Sequence, residues 1–437
     1  MFFNLVFLVL SLLLFFDLIY YYFLYFFLMG LVYYYIVNII IYDYFLYFFV
    51  DNISYLLVIL SFYIIMLINI YLFNFDDNKI MYLFNLLVFF LFYCFFVNNL
   101  ILMYVFFEAC LLPLMIVIFL NGLTMERLKA STYLMLYTLF GSFIFLLMVI
   151  VMDVSLNMVL VKLKAFNMET SYLWVLGVFI FLIKMPMYGV HIWLTKAHVE
   201  SPVYGSMVLA GILLKLGGYG LYCLMNYLSI VKFKILSCSI LSISLMGALM
   251  ISVICLRQMD VKLIIACSSV SHMSMVLGGM FSFSEMGLWG SVGLMYAHGL
   301  CSSGMFFFSN ILYDRLYTRN LIFFKGLFYI YPFLVYLWIL FNLINMGFPP
   351  FMNFFFELIL VFSIINNSLF FIFLLSINLM LVVFYSLLLF CRLGHGNTYL
   401  YQYIIKNLSF LELKILIFHL FYLFLFLMKI SFIICLV

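Results

Sequence analysis

Charged residues are scarce in this chain of 437 residues: Asp, Glu, Lys and Arg make up 8% of it, whereas 70% of it is hydrophobic. Soluble domains are about a quarter charged and about half apolar, so the composition excludes a soluble globular protein. The 19 Lys and Arg residues occur singly and form no basic run, which excludes a nucleic-acid-binding surface. The chain is predicted to cross a membrane many times.

Motifs for cofactors and metals are also missing from the sequence. The nine cysteines form no C-x-x-C pair and have no histidines at metal-ligand spacing, and there is no G-x-G-x-x-G. These absences argue against an iron–sulfur cluster, a zinc site and a dinucleotide-binding fold. The alternating pattern of a lipid-facing β-barrel is absent too. Since backbone groups in hydrocarbon must bond within their own segment, the predicted fold class is all-α.

The apolar runs are long enough for about 14 transmembrane helices of about 20 residues each. They predict spans near residues 2–22, 23–41, 52–74, 80–97, 98–120, 132–152, 170–195, 203–227, 231–255, 261–281, 286–313, 328–365, 370–391 and 411–435. Most Lys and Arg residues of the loops follow odd-numbered spans. The positive-inside rule then places both termini on the outer side of the membrane.

Two of the predicted spans contain helix-breaking residues. Pro186 follows Lys184 by two residues in the seventh span, and Pro350 precedes Glu357 by seven residues in the twelfth. Proline removes a backbone hydrogen bond, so each break is expected to expose carbonyls close to an ionisable side chain. Broken helices at corresponding positions of two halves indicate an inverted-repeat transporter with its site at the breaks.

Five ionisable residues lie inside apolar runs, where a mid-helix lysine costs about 2.5–3.5 kcal/mol. Lys184 and Lys215 lie in such runs, 31 residues apart, and are expected to face each other from adjacent spans. Glu108 lies in mid-span without a cation within one helical turn, so it is expected to be protonated unless a neighbouring helix supplies a partner. Lys184 is the predicted partner, within salt-bridge or single-water distance. His272 and His298 stand among Ser and Gly residues. Groups of this kind are typical of a proton relay.

Other polar residues favour a structural interpretation. His191 lies two turns after Lys184, although Pro186 disturbs that register. His198 and Glu200 are expected to cap a loop at the membrane surface. Arg257, Asp260 and Lys262 form a charged turn, which we interpret as an interfacial stop signal.

The motifs that carry these residues resemble the antiporter-like subunits of respiratory complex I. They are FFEACLLP, KMPMYGVHIWLTKAHVESPVYGSMVLAGILLKLGGYG, LRQMDVKLIIACSSVSHMS, LMYAHGLCSSGMFF and NMGFPPFMNFFFEL. The resemblance spans about residues 98–360 and implies two inverted five-helix repeats with a central Glu, Lys and His axis that moves protons. It assigns that axis to Glu108, Lys184, Lys215, His272, His298 and Glu357. Thr195, Ser201 and Phe356 depart from the family pattern, which affects the expected shape of the loops and not the ionisable set.

The resemblance also implies how the chain is organised and where it acts. It places N-terminal helices at 1–79, a first repeat at 80–227, a second repeat at 228–391 and a C-terminal helix at 392–437. It implies the mitochondrial inner membrane, lipids such as cardiolipin, and neighbouring complex I subunits, especially chains 2 and 5. NADH, FMN, iron–sulfur clusters and ubiquinone are expected in partner subunits, with no cofactor in this chain. The resemblance implies Lys in chains 2 and 5 at the position where this chain has Glu357. This residue therefore argues against both and favours the remaining antiporter-like subunit. The alternative is a subunit of a multisubunit cation/proton antiporter.

Overall fold

The computed structural model describes residues 51–73, 77–97, 99–122, 124–151, 171–227, 234–396 and 408–427. Within these ranges the regular structure is helical apart from isolated β-bridge residues, among them the pair Asp260 and Asn320. The all-α prediction is confirmed. The predicted spans at 2–22 and 23–41 lie outside the described residues, so the count of 14 helices and the repeat boundaries stay predictions.

The described part from residue 51 to 227 begins with helices of 22 and 19 residues, and its longest helix, Arg127–Val151, has 25. The helices are α1 (Asn52–Phe73), α2 (Asn78–Phe96), α3 (Leu100–Ala109), α4 (Leu111–Asn121), α5 (Arg127–Val151), α6 (Ser171–Lys184), α7 (Ile192–Glu200), α8 (Val203–Val208) and α9 (Leu214–Tyr227). A π-helical turn, Leu209–Leu213, joins α8 to α9.

The described part from residue 234 onward contains the longest helix of the structure, α12. The helices of this part are α10 (Lys234–Arg257), α11 (Val261–Phe281), α12 (Glu285–Leu316), α13 (Leu327–Ile330), α14 (Pro332–Asn345), α15 (Met352–Ile365), α16 (Phe371–Gly394) and α17 (Phe410–Leu427). A 3₁₀ turn, Leu321–Phe324, follows α12. Among the described residues, eight candidate spans are long and apolar enough to cross a membrane, and the chain is a multi-pass membrane protein.

Burial separates a central layer of helices from a peripheral one. In the apolar 18-residue stretches of Val203–Met225 and Val261–Phe281, 94% of the residues are buried. In those of Asn78–Phe96 and Arg127–Ile150, 39% are buried. The peripheral helices expose apolar side chains, as lipid-facing helices do. The central helices α9 and α11 carry Lys215 and His272, so these polar side chains are surrounded by protein.

The seventh span is interrupted as predicted, because α6 ends at Lys184 and α7 begins at Ile192. The expectation that this break leaves carbonyls open is wrong for the two that precede it. Met187 donates its N–H to the Leu182 carbonyl at 3.2 Å, and the Trp193 indole N–H donates to the Ile183 carbonyl at 3.0 Å. The break is therefore closed by its own loop and by an indole from α7.

The twelfth span is also interrupted, between the end of α14 at Asn345 and the start of α15 at Met352. Gly347 adopts a positive φ of 66°, and Phe348 and Gly347 donate to the carbonyls of Leu343 and Ile344, each at 3.1 Å. This is the Schellman pattern, which satisfies the last carbonyls of a helix and favours glycine at its left-handed residue. Both predicted interruptions are confirmed; their depth in a bilayer stays a prediction.

A third irregularity, between α3 and α4, was not predicted. The two helices meet in a turn at Cys110, three residues before Pro113. Proline has no N–H for the carbonyl four residues before it, and its ring crowds that carbonyl, which here belongs to Ala109. Glu108 consequently lies at the C-terminal end of a short helix, where the last carbonyls have no partner within the helix.

Candidate functional site

Glu108 and Lys184 form a buried ion pair. Their Oε1 and Nζ atoms are 3.2 Å apart, and the side chains are 16% and 5% exposed, respectively. The predicted approach of these two residues is confirmed. The Lys184 ammonium also donates to the Phe107 carbonyl at 3.4 Å and lies 3.0 Å from the centroid of the Phe107 ring.

The positions of helix ends explain why an ammonium is stable there. Lys184 is the last residue of α6, and its ammonium contacts Phe107 in the last turn of α3. The C-terminus of a helix carries a partial negative charge, which favours a cation within the last turn. The end of α6, the Phe107 carbonyl and one carboxylate thus act on the same ammonium.

Lys215 lies beside the π-helical turn and is 1% exposed. Its ammonium donates to the carbonyl of Ala210, five residues earlier, a carbonyl that belongs to the turn Leu209–Leu213. Such turns contain one extra residue and occur frequently at functional sites. The charge of Lys215 acts on His298 of α12.

Two histidines and a carboxylate continue from Lys215. The His298 and His272 rings have centroids 5.2 Å apart, and His272 Nδ1 lies 3.3 Å from Glu357 Oε1. Both ring nitrogens of His298 lack a hydrogen-bond partner in the described part of the chain. Lys215, His298, His272 and Glu357 therefore form a row of neighbouring polar side chains across α9, α12, α11 and α15.

Glycines allow the helices of this row to approach closely. A Cβ built on Gly299 would lie 3.2 Å from the Gly211 carbonyl, and one on Gly211 would lie 3.5 Å from the Gly299 carbonyl. This contact joins the π-helical turn before Lys215 to the residue after His298. At the other end of the row, a Cβ on Gly347 would meet Glu357 Oε2.

The six predicted residues thus fall into two groups, Glu108 with Lys184 and Lys215 with both histidines and Glu357. The two lysines belong to different groups, although α6 and α9 pack together and a Cβ on Gly217 would lie 3.2 Å from Lys184 Cβ. His191 does not share a helix face with Lys184, because the helix has ended; its ring stacks on Tyr188 at 5.6 Å.

The prediction that His198 caps a loop at the surface is wrong. Its ring is 0% exposed, stacks on Phe306 at a centroid distance of 4.6 Å and has no hydrogen-bond partner for either nitrogen among the described residues. The reason is that α7 packs against α5 and α11 and is not a loop. Lys215 and Lys262 both act electrostatically on this ring.

The interpretation of Lys262 as part of a stop signal is also wrong. Arg257 is exposed, but Lys262 is 1% exposed and its ammonium has no hydrogen-bond partner in the described structure. Arg319, Asp314 and Glu200 act on it electrostatically. A signal was present in the sequence, because a lysine in the first turn of a helix opposes the helix dipole and needs another reason to be there.

Glu200 does connect loops, in agreement with the structural interpretation, but it is buried. Its carboxylate accepts from the Thr124 hydroxyl and pairs with Arg319 at 3.3 Å. Nearby, Arg315 and Glu412 form an ion pair at 2.6 Å that attaches α17 to the end of α12.

Comparison with known proteins places this arrangement in a family. A model described as "NADH:quinone oxidoreductase/Mrp antiporter, TM" matches residues 97–384. NADH-ubiquinone oxidoreductase chain 4 of Ceratitis capitata is 42% identical over 68% of this chain and 66% of its own length. The same-named protein of Rhipicephalus sanguineus is 39% identical over 75% of each chain.

A solved structure, respiratory complex I from Thermus thermophilus with bound NADH, contains a chain of the same fold. It aligns with a TM-score of 0.77 at 23% identity, over 86% of this chain and 80% of the other. These relatives are named chain 4, and not chain 2 or chain 5, which agrees with the expectation that Glu357 argues against those two. The chain therefore belongs to the NADH:quinone oxidoreductase/Mrp antiporter transmembrane family.

Proposed function

We propose that this chain is a proton-translocating membrane-arm subunit of NADH:ubiquinone oxidoreductase in the mitochondrial inner membrane. The observation that carries the proposal is the row Lys215, His298, His272 and Glu357, which lies in buried helices beside the Glu108–Lys184 pair. Buried ionisable groups are costly in a membrane protein and mark ion or proton pathways. The names of the relatives supply the enzyme complex.

The first step in the proposed mechanism is the opening of the Glu108–Lys184 pair. While Glu108 is ionised at 3.2 Å, it stabilises the ammonium of Lys184. When Glu108 is neutralised or drawn away, the buried ammonium loses its counter-charge, and a buried amine without one releases its proton more readily. The charge state of one residue therefore controls the proton of the other, and the two titrate as a unit.

The second step is transfer of the proton released by Lys184 to Lys215 and then along the row. Imidazole both accepts and donates a proton through its two nitrogens, so His298 and His272 are suited to carry a proton between Lys215 and Glu357. The 3.3 Å separation of His272 Nδ1 from Glu357 Oε1 is close to hydrogen-bond distance. Glu357 then releases the proton on the outer side of the membrane.

Lys262 and His198 extend the proposed path in the other direction. Asp314, Glu200 and Arg319 act electrostatically on Lys262, and Lys262 and Lys215 both act on His198. We place proton uptake at this end, through Lys262 and His198 to Lys215.

The redox chemistry belongs in partner subunits under this proposal. NADH, FMN, iron–sulfur clusters and ubiquinone are bound there, and this chain receives the free energy through neighbouring membrane subunits, especially the antiporter-like chains 2 and 5. Lipids such as cardiolipin fill the contacts between them, and both termini lie on the intermembrane-space side. The six residues of the two groups are the proposed relay.

The test compares two buried histidines, one inside the row and one outside it. His298→Phe should abolish most NADH-driven proton pumping by the assembled complex in inner-membrane vesicles, followed with a pH-sensitive dye. His419→Phe should not, because His419 is equally buried but bonds its own helix at the Ile415 carbonyl. Normal pumping in an assembled His298→Phe complex would disprove the relay.

The family also includes Mrp antiporters, so a cation/proton antiporter subunit is the second candidate. Native electrophoresis separates the two. Migration of this chain with an NADH dehydrogenase assembly supports the first function, and sodium-dependent proton exchange by a smaller assembly supports the second.

A further inference from the structure

Several neighbours of the Lys184 ammonium do not depend on Glu108. The buried Cys94 and Cys110 thiols act on it electrostatically, and Phe107 contacts it in two ways. The Phe107 carbonyl lies 3.4 Å from Nζ, and the centroid of the Phe107 ring lies 3.0 Å from it. The mechanism proposed above assigns roles to Glu108 and Lys184 but none to this ring.

Aromatic packing holds the ring in this position. Phe107 is 2% exposed. Phe181 meets it in an edge-on arrangement at 5.7 Å, and Phe145 meets Phe181 in the same way at 5.6 Å. Phe107 of α3, Phe181 of α6 and Phe145 of α5 thus pack on one another in succession, and this packing holds the face of Phe107 against the ammonium.

A ring and a carboxylate stabilise a cation in different ways. The attraction to Glu108 disappears when that carboxyl is protonated or moves away, whereas the quadrupole of an aromatic ring is independent of pH. The ring favours the charged lysine over the neutral amine, and this attraction is strongest at desolvated sites. A ring at this place therefore retains the protonated state after the counter-charge is gone.

We propose that Phe107 is a positioning residue that holds protonated Lys184 against its ring face while Glu108 is neutral or displaced. The proposal rests on the proposed function, because it concerns the interval between opening of the pair and release of the proton. Without the ring, Lys184 would lose its proton more readily once the pair opens, and fewer protons would be delivered per NADH as the pH rises.

The experiment is the pH profile of NADH-driven proton pumping by the assembled complex, with NADH oxidation measured in parallel. Phe107→Leu removes the π face and should move the alkaline limb of the profile about one pH unit toward acid. Phe107→Tyr keeps the π face and should follow the wild-type profile. Phe84→Leu is the matched control, since it removes an equally buried ring that packs edge-on against Tyr204 and takes no part in holding Phe107.

Each outcome decides the proposal. A wild-type profile in Phe107→Leu overturns it, and so does an equal shift in Phe107→Leu and Phe107→Tyr, which would indicate shape and not charge. If Phe107→Leu does not assemble, Phe107→Met replaces the ring by a flexible side chain and the same two criteria apply. Pumping by Lys184→Met would overturn the proposed function itself, independently of the Phe107 profiles.

Discussion

The two helix breaks of this molecule stabilise charges of opposite sign in different ways. At the first break the charge is on the helix end itself, because Lys184 is the last residue of α6 and benefits from the negative end of the helix dipole. At the second break Glu357 lies five residues beyond Met352, the start of α15, outside the first turn where a dipole acts strongly. There the break provides space, because Gly347 has no side chain where the Glu357 carboxylate lies.

The two breaks are also closed differently. A side chain, the Trp193 indole, satisfies a carbonyl of the first, whereas the backbone alone closes the second through its Schellman pattern. The comparison indicates that a broken helix stabilises a cation by its polarity and an anion by the space that it leaves. Four predictions test this difference, from the largest expected effect to the smallest.

Loss of either partner of the first pair should have the largest effect. Glu108→Gln and Lys184→Met should each remove most NADH-driven pumping, because stranding a buried charge costs about 3–5 kcal/mol. The double variant should be little worse than either single one, since the residues act as a unit. Pumping in vesicles is the measurement, and native electrophoresis must show normal assembly. Additive losses would argue against a coupled pair.

Gly347→Ala should have the next largest effect. A methyl group there meets Glu357 Oε2, and the positive φ of 66° adds strain of about 1–3 kcal/mol for a non-glycine residue. Reduced pumping and a lower unfolding temperature are expected. Gly394→Ala is the control, because its nearest atoms are at the ordinary distances of 3.6 and 3.7 Å. Equal behaviour of the two variants would remove the argument from space.

Lys215 tests whether the row requires a proton carrier or only a polar group. Lys215→Arg should retain more pumping than Lys215→Ala, because a guanidinium still donates hydrogen bonds in the place of the ammonium but does not lose its proton. Dye-monitored pumping at matched rates of NADH oxidation is the measurement. Identical pumping in the two variants would count against a bridging role.

Trp193→Phe should have the smallest effect. It removes the N–H that satisfies the Ile183 carbonyl, and an unsatisfied buried carbonyl costs about 1–3 kcal/mol. The expected result is a lower unfolding temperature of the purified complex with pumping retained at low temperature. Trp338→Phe is the control, since its indole nitrogen has no hydrogen-bond partner among the described residues. A larger shift in the control would contradict the role assigned to the indole.

The sequence was sufficient to predict both interruptions and the pairing of Glu108 with Lys184. Proline has a fixed backbone effect, and an isolated charge in lipid requires a partner, so both inferences follow from local chemistry. The burial of His198 and Lys262 could not be inferred in the same way, because it depends on how α7 and α11 pack. The Schellman pattern at Gly347 and the indole bond of Trp193 were missed because they are alternatives for closing a break that composition does not distinguish.

The π-helical turn before Lys215 supplies the carbonyl that accepts from its ammonium and also determines the direction in which its side chain points. One additional residue within Leu209–Leu213 rotates all that follows by about 100° relative to a regular α-helix. A chain of the same residues wound as an uninterrupted α-helix would point the ammonium of Lys215 about 100° away from its present bearing. The direction of this side chain is thus set by the winding of the backbone one turn earlier, and rewinding Leu209–Leu213 as a regular α-helix, with no residue removed, would misdirect it while leaving every ionisable group in place.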